Sequence, residues 1–154
     1  MERKKLYAAA ALSGIVVSIV LVLLFWSQLP DRIPSHYSLS GEPDMYAGKW
    51  IVWLGPAVSI LIYVLMGLTI KNPGMVRNYP YAITPQNREA HYIVIREMAR
   101  WLRAGIIWTF TYTEWLIVAD MFRTCPAVGF TIILLIAVII SVTILFMRKG
   151  KKIQ

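Results

Sequence analysis

The sequence predicts an all-α protein, an integral-membrane bundle of four helices with a Pro-rich extracytoplasmic loop between the first two. Three observations predict it. Uncharged apolar runs recur along the chain, basic residues gather at alternate ends of those runs, and one connection is too long and too varied for a spacer. Of 154 residues, 58% are apolar and 16% charged, with a mean hydropathy of +0.59. Soluble domains average about 45–50% apolar and about 25% charged residues. The length suits one domain.

Residues 6–29 carry no charge over 24 positions, residues 50–70 none over 21, and residues 127–147 none over 21. A helix needs about 20 apolar residues to cross hydrocarbon about 30 Å thick. Residues 104–119 form a shorter run interrupted by Glu114, which becomes long enough as a span over 101–122. The start Arg3-Lys4-Lys5 resembles a secretory signal. However, signal cores run about 7–15 residues, and Trp26-Ser27-Gln28-Leu29-Pro30 offers no small-residue cleavage site. The first run is a retained span.

Orientation follows from the basic residues. Three precede the first span, six lie between Lys71 and Arg103, and four follow Met147, which makes thirteen. The other two connections hold only Arg32, Lys49 and Arg123. Lys and Arg are retained on the cytoplasmic side, so both termini and the 71–100 connection are expected there. Trp26, Trp50 and Trp53 then belong to the outer aromatic belt, and Tyr79, Tyr81 and Trp101 to the inner one. The net charge of +8 is thereby a topology signal, which argues against nucleic acid as a partner. The bilayer itself is the first partner. A single cysteine, Cys125, excludes an intrachain disulfide and a CxxC site, and no Asn-x-Ser/Thr sequon occurs.

The 71–100 connection opens on turn formers, Asn72-Pro73-Gly74, and carries Pro80 and Pro85. It reads as helical from Glu89. Arg96, Arg100 and Arg103 share one face and serve as a positive anchor at the headgroups, and His91 is expected to be a solvated surface residue. On the first span, Ala10, Gly14 and Ser18 make a small-xxx-small line suited to close packing against another span or another subunit. Gly55-Pro56 predicts a kink near the outer end of the second span. Tyr112 and Trp115 are candidates for an outer cavity or for the belt.

Residues 30–49 form the outer loop. Pro30, Pro34 and Pro43 fix φ and remove donors, so the loop is stiff and non-helical, while Ser40-Gly41-Glu42-Pro43-Asp44 is a turn signal with Gly41 free to take positive φ. Its polar residues are Asp31, Arg32, His36, Glu42, Asp44 and Lys49. The pattern Leu29-Pro30-x-x-Ile33-Pro34-x-His36, then Gly41-x-x-Asp44, then Lys49, resembles the domain of unknown function at the N-terminus of bacterial SDP-toxin immunity proteins. SDP is the sporulation-delaying peptide toxin. The resemblance covers about 21 residues of motif, and roughly residues 6–70 when the flanking spans are counted as topology alone. It implies a multi-pass cell-membrane protein, with protection against an external peptide as the activity. The long immunity proteins continue into a further multi-span region, whereas two more spans are expected here.

His36 and Asp44 offer a cation or a pH-dependent contact. As metal ligands they are two where zinc needs three or four, and Glu42, Glu114 or Asp120 would have to complete the set. No cofactor is expected. The plainer reading makes the loop a cap in which His36, Asp44 and Lys49 satisfy one another.

Glu114 is the other candidate. A carboxylate at membrane depth costs several kcal/mol unless paired, hydrated or protonated, and such residues face a bundle interior. Ile107, Thr111 and Val118 share its face. Counted outward from Arg103, it lies beyond the midplane, within reach of Arg32, His36 and Lys49. Alternatively it is solvated at the outer interface.

Three functions are compatible with these residues. The first is a non-enzymatic binding or protection protein acting through the loop on an external peptide or another membrane protein, alone or as a homo-oligomer. The second is a small transporter, or a transporter subunit, using Glu114 as a proton or cation site. The third is an extracytoplasmic enzyme using His36, Asp44 and Glu114, for which the sequence holds no nucleophile–base motif.

Overall fold

The computed structural model describes residues 2–38, 42–76, 82–121 and 128–153. Among them are four α-helices, α1 (Glu2–Phe25), α2 (Leu54–Lys71), α3 (Arg88–Met121) and α4 (Val128–Lys151), and two strands, β1 (Arg32–Tyr37) and β2 (Pro43–Gly48). Gly41, Tyr79, Pro80, Tyr81, Phe122, Arg123, Cys125 and Ala127 lie outside the described residues, as does the side chain of Asp120.

The helices follow the apolar runs, with shifted ends. α1 begins at Glu2, because its basic residues are good helix formers. It stops at Phe25, and Gln28 and Leu29 turn the chain by donating their amides to the Phe25 carbonyl. A 3-10 turn, Lys49–Trp53, leads into α2. Pro56 sits in the first turn of α2, where a missing N–H leaves no ladder bond unmade. The expected kink at Gly55-Pro56 is therefore replaced by a 3-10 to α transition just before it. α3 is helical from Arg88 and runs unbroken for 34 residues through the arginines and the polar centre.

α3 packs against each of the other three helices. α1 and α3 run parallel: Tyr7 meets Trp101 at 5.1 Å between ring centroids, and Val22 shares a cluster with Val118 at the other end. α2 runs the opposite way, since Gly55 lies beside Glu114 while Tyr63 stacks under the Arg103 guanidinium at 4.3 Å. α4 returns to the starting end, where Lys149 donates to Glu97 at 2.9 Å. The hairpin and the basic chain ends thus occupy opposite ends of the helices.

One buried stripe of α3 holds His91, Val94, Ile95, Ala99, Arg103, Ile107, Thr111, Glu114 and Val118, and Leu116 and Ala119 are buried on another side of the helix. The stripe includes two residues expected at the surface. His91 is 0% exposed, because the buried helical stripe begins more than three turns before the uncharged run at 104. Arg103 is 7% exposed and lies on the Tyr63 ring, whereas Arg96 and Arg100 are only half-buried. Arg103 therefore belongs to the α2–α3 interface and not to the headgroup anchor.

The outward faces are apolar. Leu12, Val16, Val20, Leu23 and Leu24 of α1 are exposed, as are Ile60, Leu61, Val64, Leu65 and Leu68 of α2. Two helical segments, Glu2–Phe25 and Lys49–Lys71, are long and apolar enough to cross a membrane.

The 30–49 connection corrects the all-α expectation, for it holds a β-hairpin. Arg32 pairs with Gly48, Ile33 with Ala47 and Pro34 with Tyr46, with irregularities around His36. Lys49 N–H donating to Asp31 O at 2.9 Å closes one end, and Ser38 N–H donating to Glu42 O at 2.8 Å closes the other. Both strands are edges, so Pro34 forfeits no inner ladder bond, and Pro43 stands at a strand start where proline is tolerated. The prolines suppress helix as expected, but extended φ also suits a strand. A lone two-stranded hairpin is marginal in water. This one is held by Ile33, 0% exposed, in a cluster with Val22, Leu29, Val52 and Val118.

Ile33→Ala should lower stability by about 2–5 kcal/mol, and Ile33→Val by about 0.5–1.5. Thermal unfolding of the two variants checks this, with hydrogen exchange at 32–37 and 43–48 rising most in the alanine variant.

Candidate functional site

Glu114 is 5% exposed, at the meeting of α1, α2 and α3. Three polar contacts zip α3 to α1. Trp108 Nε1–H donates to Ala10 O at 2.8 Å, Thr111 Oγ–H lies 3.0 Å from Gly14 O and 3.1 Å from Ile107 O, and Ser18 Oγ–H donates to Glu114 Oε2. The small-residue line on α1 thus has a partner within the chain. Small side chains let α3 reach the α1 backbone, and the β-carbon position of Gly14 is already 2.8 Å from Ile107 Cγ2.

Gly55 completes the seat. A β-carbon there would overlap the Glu114 carboxylate, so only glycine admits this side chain against α2. The carboxylate lies beside the first turn of α2, the end of a helix that carries positive partial charge. Oε1 has no hydrogen-bond partner among the described residues. Ser59, one turn further along α2, is also buried with its hydroxyl unpartnered among them. The neighbouring threonines of α3 are satisfied within the helix, Thr109 at Gly105 O (2.8 Å) and Thr113 at Thr109 O (3.0 Å), so the polar stretch leaves Glu114 as its one demanding group.

The loop residues pair among themselves. His36 Nδ1 lies 2.6 Å from Asp44 Oδ1 across the hairpin, and no third His, Cys, Asp or Glu joins them in a metal-sized group among the described residues. Lys49 takes other partners than those expected. Its ammonium lies 5.0 Å over the Trp26 ring and 3.9 Å from the exposed Asp31 carboxylate. Trp26 packs near Trp53, with centroids 6.1 Å apart. Arg32 is exposed. Neither Lys49 nor His36 forms an ion pair with Glu114; the tie between loop and helices is apolar, through Ile33.

His36 and Glu114 nevertheless share a space. A cavity of about 410 Å³ lies under the hairpin, bounded by Pro34, Ser35 and His36 above, by Ile51, Val52, Leu54, Gly55 and Val58 along one side, and by Phe110, Thr113, Glu114 and Ile117 along the other. Ser35 and His36 are at its exposed end and Glu114 at its buried one. Tyr112 and Trp115 face outward and do not line it. The chemistry on offer is binding: apolar walls, one carboxylate with a spare acceptor, and an imidazole held by Asp44 at the rim. Sequence reasoning missed Gly55, whose signal was a glycine in the first turn of an apolar helix that gained nothing from backbone freedom there.

A family described as a domain of unknown function (DUF1648) matches residues 14–60. That stretch holds Ser18, the whole hairpin with His36 and Asp44, and Gly55, but not Glu114. An uncharacterized protein of Archaeoglobus fulgidus is 28% identical over 108 residues, covering 70% of this chain and 56% of its own length. The chain therefore spans about half the length of that curated relative. No solved structure matches significantly.

Gly55→Ala should destabilise the protein by about 1–3 kcal/mol through overpacking against Glu114. The same change in a Glu114→Ala background should cost far less, because the obstructing carboxylate is gone. A double-mutant cycle on thermal or denaturant unfolding reads the difference.

Proposed function

We propose that the chain is a multi-pass membrane protein whose four helices cross the bilayer, with both termini and the 71–100 connection in the cytoplasm and the hairpin outside. In this reading it is a non-enzymatic binding protein acting through the hairpin and the cavity beneath. The cavity carries the binding reading, since an apolar space of this size with few oriented polar groups is the usual form of a ligand site. Outward apolar faces around an inward polar node support the bilayer, because they reverse the arrangement water would favour. Basic residues at the end away from the hairpin support the orientation. The likeness to toxin-immunity domains makes an external peptide the proposed ligand and protection the proposed outcome, with a second copy or another membrane protein as alternative partners.

A second reading, a small transporter or transporter subunit, is favoured by the buried Glu114 carboxylate. Proton or cation flux into proteoliposomes that falls with Glu114→Gln would support it, and equal flux would remove it.

In a Cys125→Ser background, a cysteine at Ser35 should react with a membrane-impermeant maleimide on intact cells, and one at Lys152 only after lysis. The reverse pattern would invert the topology. Cells expressing the protein should resist added sporulation-delaying peptide, and His36→Ala or Asp44→Ala should reduce that resistance with membrane levels unchanged; undiminished resistance in both variants contradicts a role for the hairpin.

A further inference from the structure

We infer that the cavity under the hairpin is a site for a primary ammonium group carried on an apolar body, with Glu114 as its counter-charge. This deepens the binding reading above and rests on it. The cavity of about 410 Å³ falls within the range of about 300–1,000 Å³ typical of small-molecule sites. Its walls are mostly apolar, with Ile51, Val58, Phe110 and Ile117 available to the body of a ligand.

The head group is chosen by charge. An anion at the buried end would meet the Glu114 carboxylate. A neutral group supplies no counter-ion and leaves that carboxyl protonated or unpaired, and an unpaired charge costs several kcal/mol in such surroundings. Among the described residues, the cations nearest in sequence to the cavity are engaged elsewhere or exposed. Lys49 lies on Trp26 and Asp31, Arg32 is exposed, and Glu114 forms no ion pair among the described residues. Ser18 occupies Oε2 and nothing among them bonds Oε1, which lies closed against Gly55, so an N–H donor reaches that acceptor as the Glu114 side chain turns toward the cavity it lines. A quaternary ammonium lacks that donor and prefers a cage of Trp, Tyr or Phe rings, whereas among the described residues Phe110 alone supplies such a ring to this cavity.

The ammonium can come from a small lipophilic amine or from a lysine side chain of an apolar peptide entering past His36. Both sources present the same head group, and the experiment separates them.

The test uses the full chain in lipid nanodiscs, with Cys125→Ser and a reporter cysteine at Ser35, the exposed rim residue. Its maleimide reaction rate is followed with 1-naphthylmethylamine, 1-naphthylmethanol or 1-naphthoate present. The amine should slow labelling, and the alcohol and acid should not. With Glu114→Gln, half-protection should need about tenfold more amine or higher, as expected for losing one charged hydrogen bond. Val58→Trp, which fills the space and keeps the carboxylate, should abolish protection.

In the peptide arm, N-acetyl-leucyl-lysine amide should protect and its side-chain-acetylated form should not; protection by the naphthyl amine alone assigns the site to small amines. Equal protection by amine and alcohol, indifference to Glu114→Gln, or an unreactive rim cysteine would each overturn the inference. Because nanodiscs expose both faces, an inverted topology in cells would defeat the orientation above without altering this result.

Discussion

A carboxylate seated among three apolar helices is the constraint on which this structure turns. Burial of Glu114 in such surroundings is tolerable only if it is hydrogen-bonded, paired, hydrated or protonated, and its neighbours bear the mark of that demand. Ser18 donates to Oε2, Gly55 gives up a side chain so that the carboxylate fits, and Thr111 fixes the same face of α3 to the α1 backbone. These contacts recur at the spacing of helical turns on parallel α1 and α3, with α2 closing the third side in the opposite direction. The same constraint leaves Oε1, closed against Gly55, without a hydrogen-bond partner among the described residues. Satisfying Oε1 internally would have needed a cation or a second hydroxyl, and among the described residues Lys49 and Arg32 are placed elsewhere and the Ser59 hydroxyl does not bond it.

The hairpin depends on the helices more than the helices depend on it. Two bulged strands with prolines form few ladder bonds, so their order comes from Ile33 and Leu29 docking on Val22, Val52 and Val118. That anchoring is non-directional and apolar. It leaves the polar hairpin residues, His36 and Asp44 above all, free of structural ties to the bundle and available at the rim. In the proposed binding reading, this roof over a space lined by a carboxylate is what selects the head group.

Much of this was legible from residue order. The uncharged runs marked α1, α2 and α4, the 3.6-residue spacing put Ile107, Thr111, Glu114 and Val118 on one face, and the line Ala10, Gly14, Ser18 marked a close-packing surface. The hairpin was not legible as strands, because three prolines and a short alternation predict only that helix is absent. His91 and Arg103 were misplaced for a common reason. Polar residues beside an apolar run read as solvated, yet the stripe they belong to is set by helical phase, which continues past the hydropathic boundary. The partners of Glu114 escaped because charge complementarity points to Lys49 and His36, whereas a buried carboxylate here is met by a hydroxyl and an absent β-carbon. Which elements approach one another in space is not encoded locally.

The account rests on hydrocarbon outside and polarity inside. Spin labels walked along α1 in liposomes test this most directly, by comparing accessibility to oxygen and to a water-soluble nickel complex. The account predicts oxygen maxima at Leu12, Val16, Val20 and Leu23, minima at Ala11, Ile15, Ser18 and Val22, and exclusion of nickel from all of them. Nickel access along the outward face, or oxygen maxima on the face that carries Ser18, would contradict it.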